Sequence, residues 1–85
     1  MNNATTPASP WITKEGVEVK VGQVWRDLDK RMKGRTVKIV RLGNETFEGS
    51  VYTRSALSSH GTERRLAVRR MHKHSRGWEL VSQPQ

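Results

Sequence analysis

Eighty-five residues allow one small domain, and apolar side chains make up only 33% of them, so any core is thin. The chain holds no cysteine, which excludes disulfides and thiolate–zinc staples, and no apolar run nears the ~18 residues of a membrane span. Sixteen Lys and Arg against eight Asp and Glu leave a net charge of +8, the electrostatic entry condition for nucleic-acid binding.

That charge is focused. Residues 26–41 carry seven basic and two acidic side chains, and residues 60–77 carry six basic and one acidic, together with all three histidines. The remaining segments are net acidic. The N-terminus lacks the basic-then-apolar order of a signal peptide, so a cytoplasmic location is the expectation, with no membrane partner.

Residues 1–13 (MNNATTPASPWIT) have no charge, two prolines and several small polar side chains, the composition of a disordered tail. Trp11 and Ile12 are the exceptions, and docking of Trp11 is left open. The folded domain is expected over residues 14–82, with residues 83–85 frayed. Val17, Val19 and Val21 alternate with Glu18 and Lys20, a period-two signal for a half-exposed strand or extended lead-in. Gly22 ends it. From Gln23 the pattern supports either a strand over Gln23–Arg26 or a helical turn over Asp27–Met32, and Gly34 forbids a long helix.

Arg35–Leu42 (RTVKIVRL) is β-branched and bounded by Gly34 and Gly43, which predicts a strand. Its alternation slips, with Val37 and Ile39 on one face and Val40 and Leu42 on the other; a bulge or strong coiling would reconcile them. Gly43-Asn44 predicts a tight turn, and Thr46–Thr53 the return strand, with Phe47, Gly49 and Val51 on one face. Arg54–Glu63 reads as a loop. Arg64–Met71 predicts a strand with Leu66 and Val68 inward and Arg65 and Arg69 outward. His72–Gly77 is a basic turn, and Trp78–Val81 a short closing strand. The expected fold is all-β: a single small domain with a strongly twisted antiparallel sheet or SH3-like barrel of four to five strands, an OB-like barrel being second.

The best candidate surface is the second basic block. Arg64, Arg65, Arg69, Arg70, Lys73 and Arg76 fall on one strand and its following turn, and a guanidinium can bond two phosphate oxygens at once. Arg35 and Lys38 extend the patch, and Tyr52, on the polar face of its strand, is a stacking candidate. Arg70 shares parity with Leu66 and Val68, which also admits a half-buried ion-pair role. Trp25, Phe47 and Trp78 are expected in the core, with Val24, Leu28, Val37, Ile39, Val40, Leu42, Val51, Leu66, Val68 and Leu80. Asp27 and Asp29 lack converging catalytic groups and are expected to tie down Arg26, Lys30, Arg31 or Arg35, or to cap a turn. His72 and His74 make a two-ligand set, too few for a metal without a coincidence involving His60. No phosphate-binding glycine loop or nucleophile elbow is present, so no catalytic residue, metal or cofactor is expected and the chain is not read as an enzyme.

Gly22-Gln23-x-Trp25-x-Asp27-x-Asp29-x-Arg31, then Gly34-Arg35-Thr36-Val37, then Val68-Arg69-Arg70 and Ser75–Val81 together resemble small proteins of actinobacteria and their bacteriophages. That family has no assigned activity. The resemblance spans residues 20–81 and implies a compact β domain and a phage or actinobacterial origin, hence the host cytoplasm if phage-encoded. It carries over no active site. The leading expectation is a basic protein, monomer or homodimer, contacting DNA or RNA backbone phosphates largely without sequence specificity. The alternative is a module that binds an acidic host protein.

Overall fold

The computed structural model describes residues 10–44, 46, 48–58 and 61–84. Five antiparallel strands form one sheet: β1 (Val24–Asp27), β2 (Thr36–Leu42), β3 (Ser50–Ser55), β4 (Arg64–Ala67) and β5 (Trp78–Ser82), in the spatial order β4-β3-β2-β1-β5. The all-β expectation holds. Closure into a barrel does not follow, because β4 and β5 lie at opposite ends of that order and no ladder joins them among the described residues.

The strand alternation sends Trp25, Val37, Ile39, Val51, Leu66 and Trp78 to one face, where they bury with Val19, Val68 and Met71. The slip in β2 is a bulge. Ile39 pairs with Thr53 but Arg41 pairs with Tyr52, so Val40 is the extra residue. The insertion flips parity, returning Leu42 to the core side opposite Val51 and turning Arg41 outward beside Tyr52. Both readings of residues 23–32 are realised: β1 runs to Asp27, and Lys30–Met32 form a 3-10 turn capped by Asp29.

Several expectations are corrected. The Gly43-Asn44 tight turn does not form: the Gly43 N–H donates to the Ser50 carbonyl at 2.8 Å, and residues 44–49 make the connection. The return strand therefore starts at Ser50, and Phe47 lies outside the described residues. β4 stops at Ala67, and Val68–Arg70 form a second 3-10 turn, held where the Val68 N–H donates to the Gly49 carbonyl. With three residues per turn the strand parity ends there. Val68 and Met71 bury and Arg70 stays exposed, against the half-buried alternative.

Residues 10–13 belong to the domain. Ile12 bridges Glu18, the Val19 N–H donates to the Trp11 carbonyl, and Trp11 packs on the core; residues 1–9 lie outside the described residues. Val17–Val21 is thus an extended lead-in rather than a strand. The C-terminal segment contacts the domain as far as Pro84; Gln85 is outside the described residues. Gln23 is the reason. It is fully buried, with Nε2 donating to the Glu18 carbonyl (2.9 Å) and Gln83 Oε1 (3.0 Å). Its Oε1 accepts from the Lys20 N–H (2.9 Å) and the Trp25 indole (3.1 Å). One amide thereby joins lead-in, β1 and C-terminal segment with both donors and both lone pairs used. Gly22 stands at φ +98° with Pro84 packed against it, where a side chain has neither the backbone nor the room.

Candidate nucleic-acid interface

Where the sheet fails to close, a cleft of about 190 Å³ opens between the β4 and β5 edges. Its floor takes one side chain from each strand: Asp27, Val37, Thr53, Leu66 and Trp78, none more than 7% exposed. Its rim carries Arg35, Arg64, Arg65, Arg70 and Arg76, with Asp29 beside them. The fold places these arginines together for separable reasons. Arg64 and Arg65 ride the edge strand β4, and Arg70 projects from the 3-10 turn that follows. Arg35 leads into β2, and Arg76 sits in the turn that feeds β5. Bringing Arg76 to the β4 arginines takes the β1–β5 pairing, Asp27 opposite Trp78, whereas Arg35 and Arg64 share a groove across β2 and β3.

The acidic residues organise the cleft. Asp27 Oδ2 accepts from Arg35 Nε at 2.8 Å, and its Oδ1 accepts from the Asp29 N–H at 2.9 Å. This holds the Arg35 guanidinium 5.6 Å from the Trp78 ring centroid, a cation–π contact. Asp29 caps the first 3-10 turn through the Arg31 N–H and forms a two-point contact with the Arg31 guanidinium (3.1 and 2.8 Å). The Arg31 guanidinium foremost, then its amide, draw the Asp29 carboxyl down to about 2, with the charge of Arg76 acting in the same direction. The expectation that both aspartates tie down local arginines or cap a turn is met. By contrast Arg64, Arg70 and Arg76 make no ion pair among the described residues.

Arg76 has a second peculiarity. Its φ is +63°, a left-handed conformation suited to Gly or Asn, in the turn where the Gly77 N–H donates to the His74 carbonyl and the Trp78 N–H to the His72 carbonyl. A bulky cation occupies a backbone position that glycine fills at less cost.

The remaining candidates disperse. Arg69 borders a groove with Pro10, Ile12 and Glu48, away from the cleft floor. Lys73 donates its backbone N–H to Glu15 Oε2 at 2.9 Å, on the lead-in side. Lys38 lies on the other face of the sheet with Val21 and Arg54. Tyr52 is on that outer face too, and the Arg41 guanidinium stands 3.7 Å from its ring centroid, covering one side of the proposed stacking platform. Arg41 is itself held by Glu63 (3.1 Å), which also pairs with Arg54 (3.0 Å). The His72 and His74 rings are 5.3 Å apart, and His72 Nδ1 accepts the His74 N–H. No group of three metal-ligating side chains occurs among the described residues; His60 lies outside them. Nor is any helix among them long and apolar enough to cross a membrane.

Sequence reasoning missed the floor of the cleft. Trp78 lies in the core as expected and also lines the floor, whereas nothing in the sequence gives Asp27 and Thr53 a binding role; the periodicity of each strand gives the face but not the spatial neighbour. Comparison with family models, curated proteins and solved structures finds no match for this chain, and the meaning of the cleft rests on its own geometry.

Proposed function

We propose that this protein binds nucleic acid through backbone phosphates held on the arginine rim of the cleft. The observation that carries this reading is the convergence of Arg35, Arg64, Arg65, Arg70 and Arg76 from three separate stretches of chain on one opening. Like charges gathered on one opening repel one another, a cost that a bridging anion offsets. Arg64, Arg70 and Arg76 make no ion pair among the described residues. The left-handed Arg76 strengthens the case, since strain at a cleft rim is most simply kept for the side chain it presents.

The test is a fluorescence-polarisation titration of a labelled single strand across salt concentrations. Four phosphate contacts predict a loss of roughly fifty-fold in affinity between about 50 and 200 mM salt. Arg70→Ala and Arg76→Gly should each weaken binding and flatten the salt slope by about 0.7. Arg76→Gly also relieves the backbone, so its stability should match or exceed wild type by up to about 1 kcal/mol while binding falls. Absence of binding at low salt, or binding indifferent to both substitutions, refutes the proposal. Displacement by a polyglutamate peptide as effective as by nucleic acid would turn the same surface toward an acidic protein.

A further inference from the structure

We infer that the cleft is a pocket for one unstacked nucleobase of a single strand, flanked by rim sites for its phosphates, a reading that rests on the function proposed above. The charge layout requires two kinds of ligand group. The rim attracts anions, but the floor contains the Asp27 carboxylate, which disfavours a phosphate sinking below the guanidinia. What enters must be uncharged and able to donate hydrogen bonds.

The size agrees. A cavity of roughly 150 Å³ accepts a benzene ring, and the cleft offers about 190 Å³, enough for one base and too little for two. The walls at the bottom are apolar where Val37, Leu66 and Trp78 contribute, and polar where Asp27 and Thr53 do. Thr53 Oγ1 donates its proton to the Arg64 carbonyl at 3.3 Å, so toward the pocket the hydroxyl has only lone pairs to offer. Each Asp27 oxygen accepts one hydrogen bond and retains a lone pair. Both side chains therefore recognise amino or imino hydrogens, as a carboxylate does with the cytosine amino group. Cytosine, adenine and guanine present an amino group with two hydrogens on the Watson–Crick edge, whereas thymine and uracil place a single imino N–H there between two carbonyls, which the lone pairs of Asp27 and Thr53 repel. A base paired inside a duplex cannot reach the floor at all.

The experiment compares labelled oligo-dC, oligo-dT, an abasic strand and a duplex at one low salt concentration, with wild type, Thr53→Val and Arg70→Ala. Expected are binding of oligo-dC at least about five-fold tighter than oligo-dT or the abasic strand, weaker binding of duplex, and loss of the base preference in Thr53→Val with overall binding retained. Arg70→Ala should weaken all strands alike. Equal affinity for all four ligands, with Arg70→Ala still weakening each, overturns the base pocket and leaves phosphate binding standing. No binding of any ligand removes both.

Discussion

Replacing Gln23 by methionine keeps the volume and unbranched shape of the side chain but deletes its four hydrogen bonds. The largest loss is at the Trp25 indole N–H, which is buried and left unanswered, a penalty of about 1–3 kcal/mol. The other three bonds, to the Lys20 N–H, the Glu18 carbonyl and Gln83, are part-buried and run to exposed residues. Water can replace part of what each loses, so about 0.5–1 kcal/mol apiece is appropriate. Together the substitution should cost roughly 3–6 kcal/mol, against a total of about 4–13 kcal/mol for a chain of this length. Urea unfolding followed by tryptophan fluorescence measures it directly, and a fall in melting temperature of ten degrees or more should accompany it at about 4–8 °C per kcal/mol. A change below about 1 kcal/mol with an unaltered urea slope would show that the Gln23 junction does not hold the three segments together.

Two further outcomes are expected of the frame around the cleft. The Asp29 carboxyl sits at about 2 against an ordinary 3.8, so its stabilising contribution is complete above the ordinary value and is lost as pH falls through 2. Asp29→Asn should remove that acid-dependent component while keeping the turn cap; carboxylate NMR titration of wild type, and unfolding of both proteins from pH 5 to 2, check it. A Cβ at Gly77 would collide with the His72 backbone carbonyl, which cannot swing aside as a side chain can. Gly77→Ala should therefore cost about 2 kcal/mol or more in urea unfolding, whereas Gly34→Ala, strained by φ +73° but unobstructed, should cost only about 1.

The sequence was most legible where one strand speaks for itself. The out-of-phase Val37, Ile39 and Leu42 point to a bulge or strong coiling, and the structure realises the bulge. The aspartates of β1 and its turn were legible because arginines within a few positions left them little else to do. Legibility ended where periodicity changed without a marker. Nothing in RRLAVRRM signals that extended backbone becomes a 3-10 turn at Val68, so Met71 does not stand out as core and the parity of Arg70 with Leu66 and Val68 wrongly admits a half-buried alternative. Gln23 was invisible for a different reason. A polar residue beside a tryptophan looks solvated until partners from distant segments are known to converge on it. The cleft is the extreme case, since its floor draws on all five strands and only their spatial order brings Arg35 and Arg76 opposite Arg64.

The pairing of β1 with β5 also bears on the order in which the chain can assemble. β2, β3 and β4 are sequential neighbours that can zip up through short loops, but β1 has only one local partner and must wait for β5, the last strand made. Loop-closure entropy is spent across most of the chain before that ladder returns anything, which places folding in the slow, non-local regime. Until then Trp25 has no β5 beside it, and Asp27 lacks the strand that brings Trp78 opposite. The Arg76 and Trp78 side of the cleft is held by that ladder, so a chain in which it has not closed exposes a tryptophan and an unfinished sheet edge rather than a weakened version of the site.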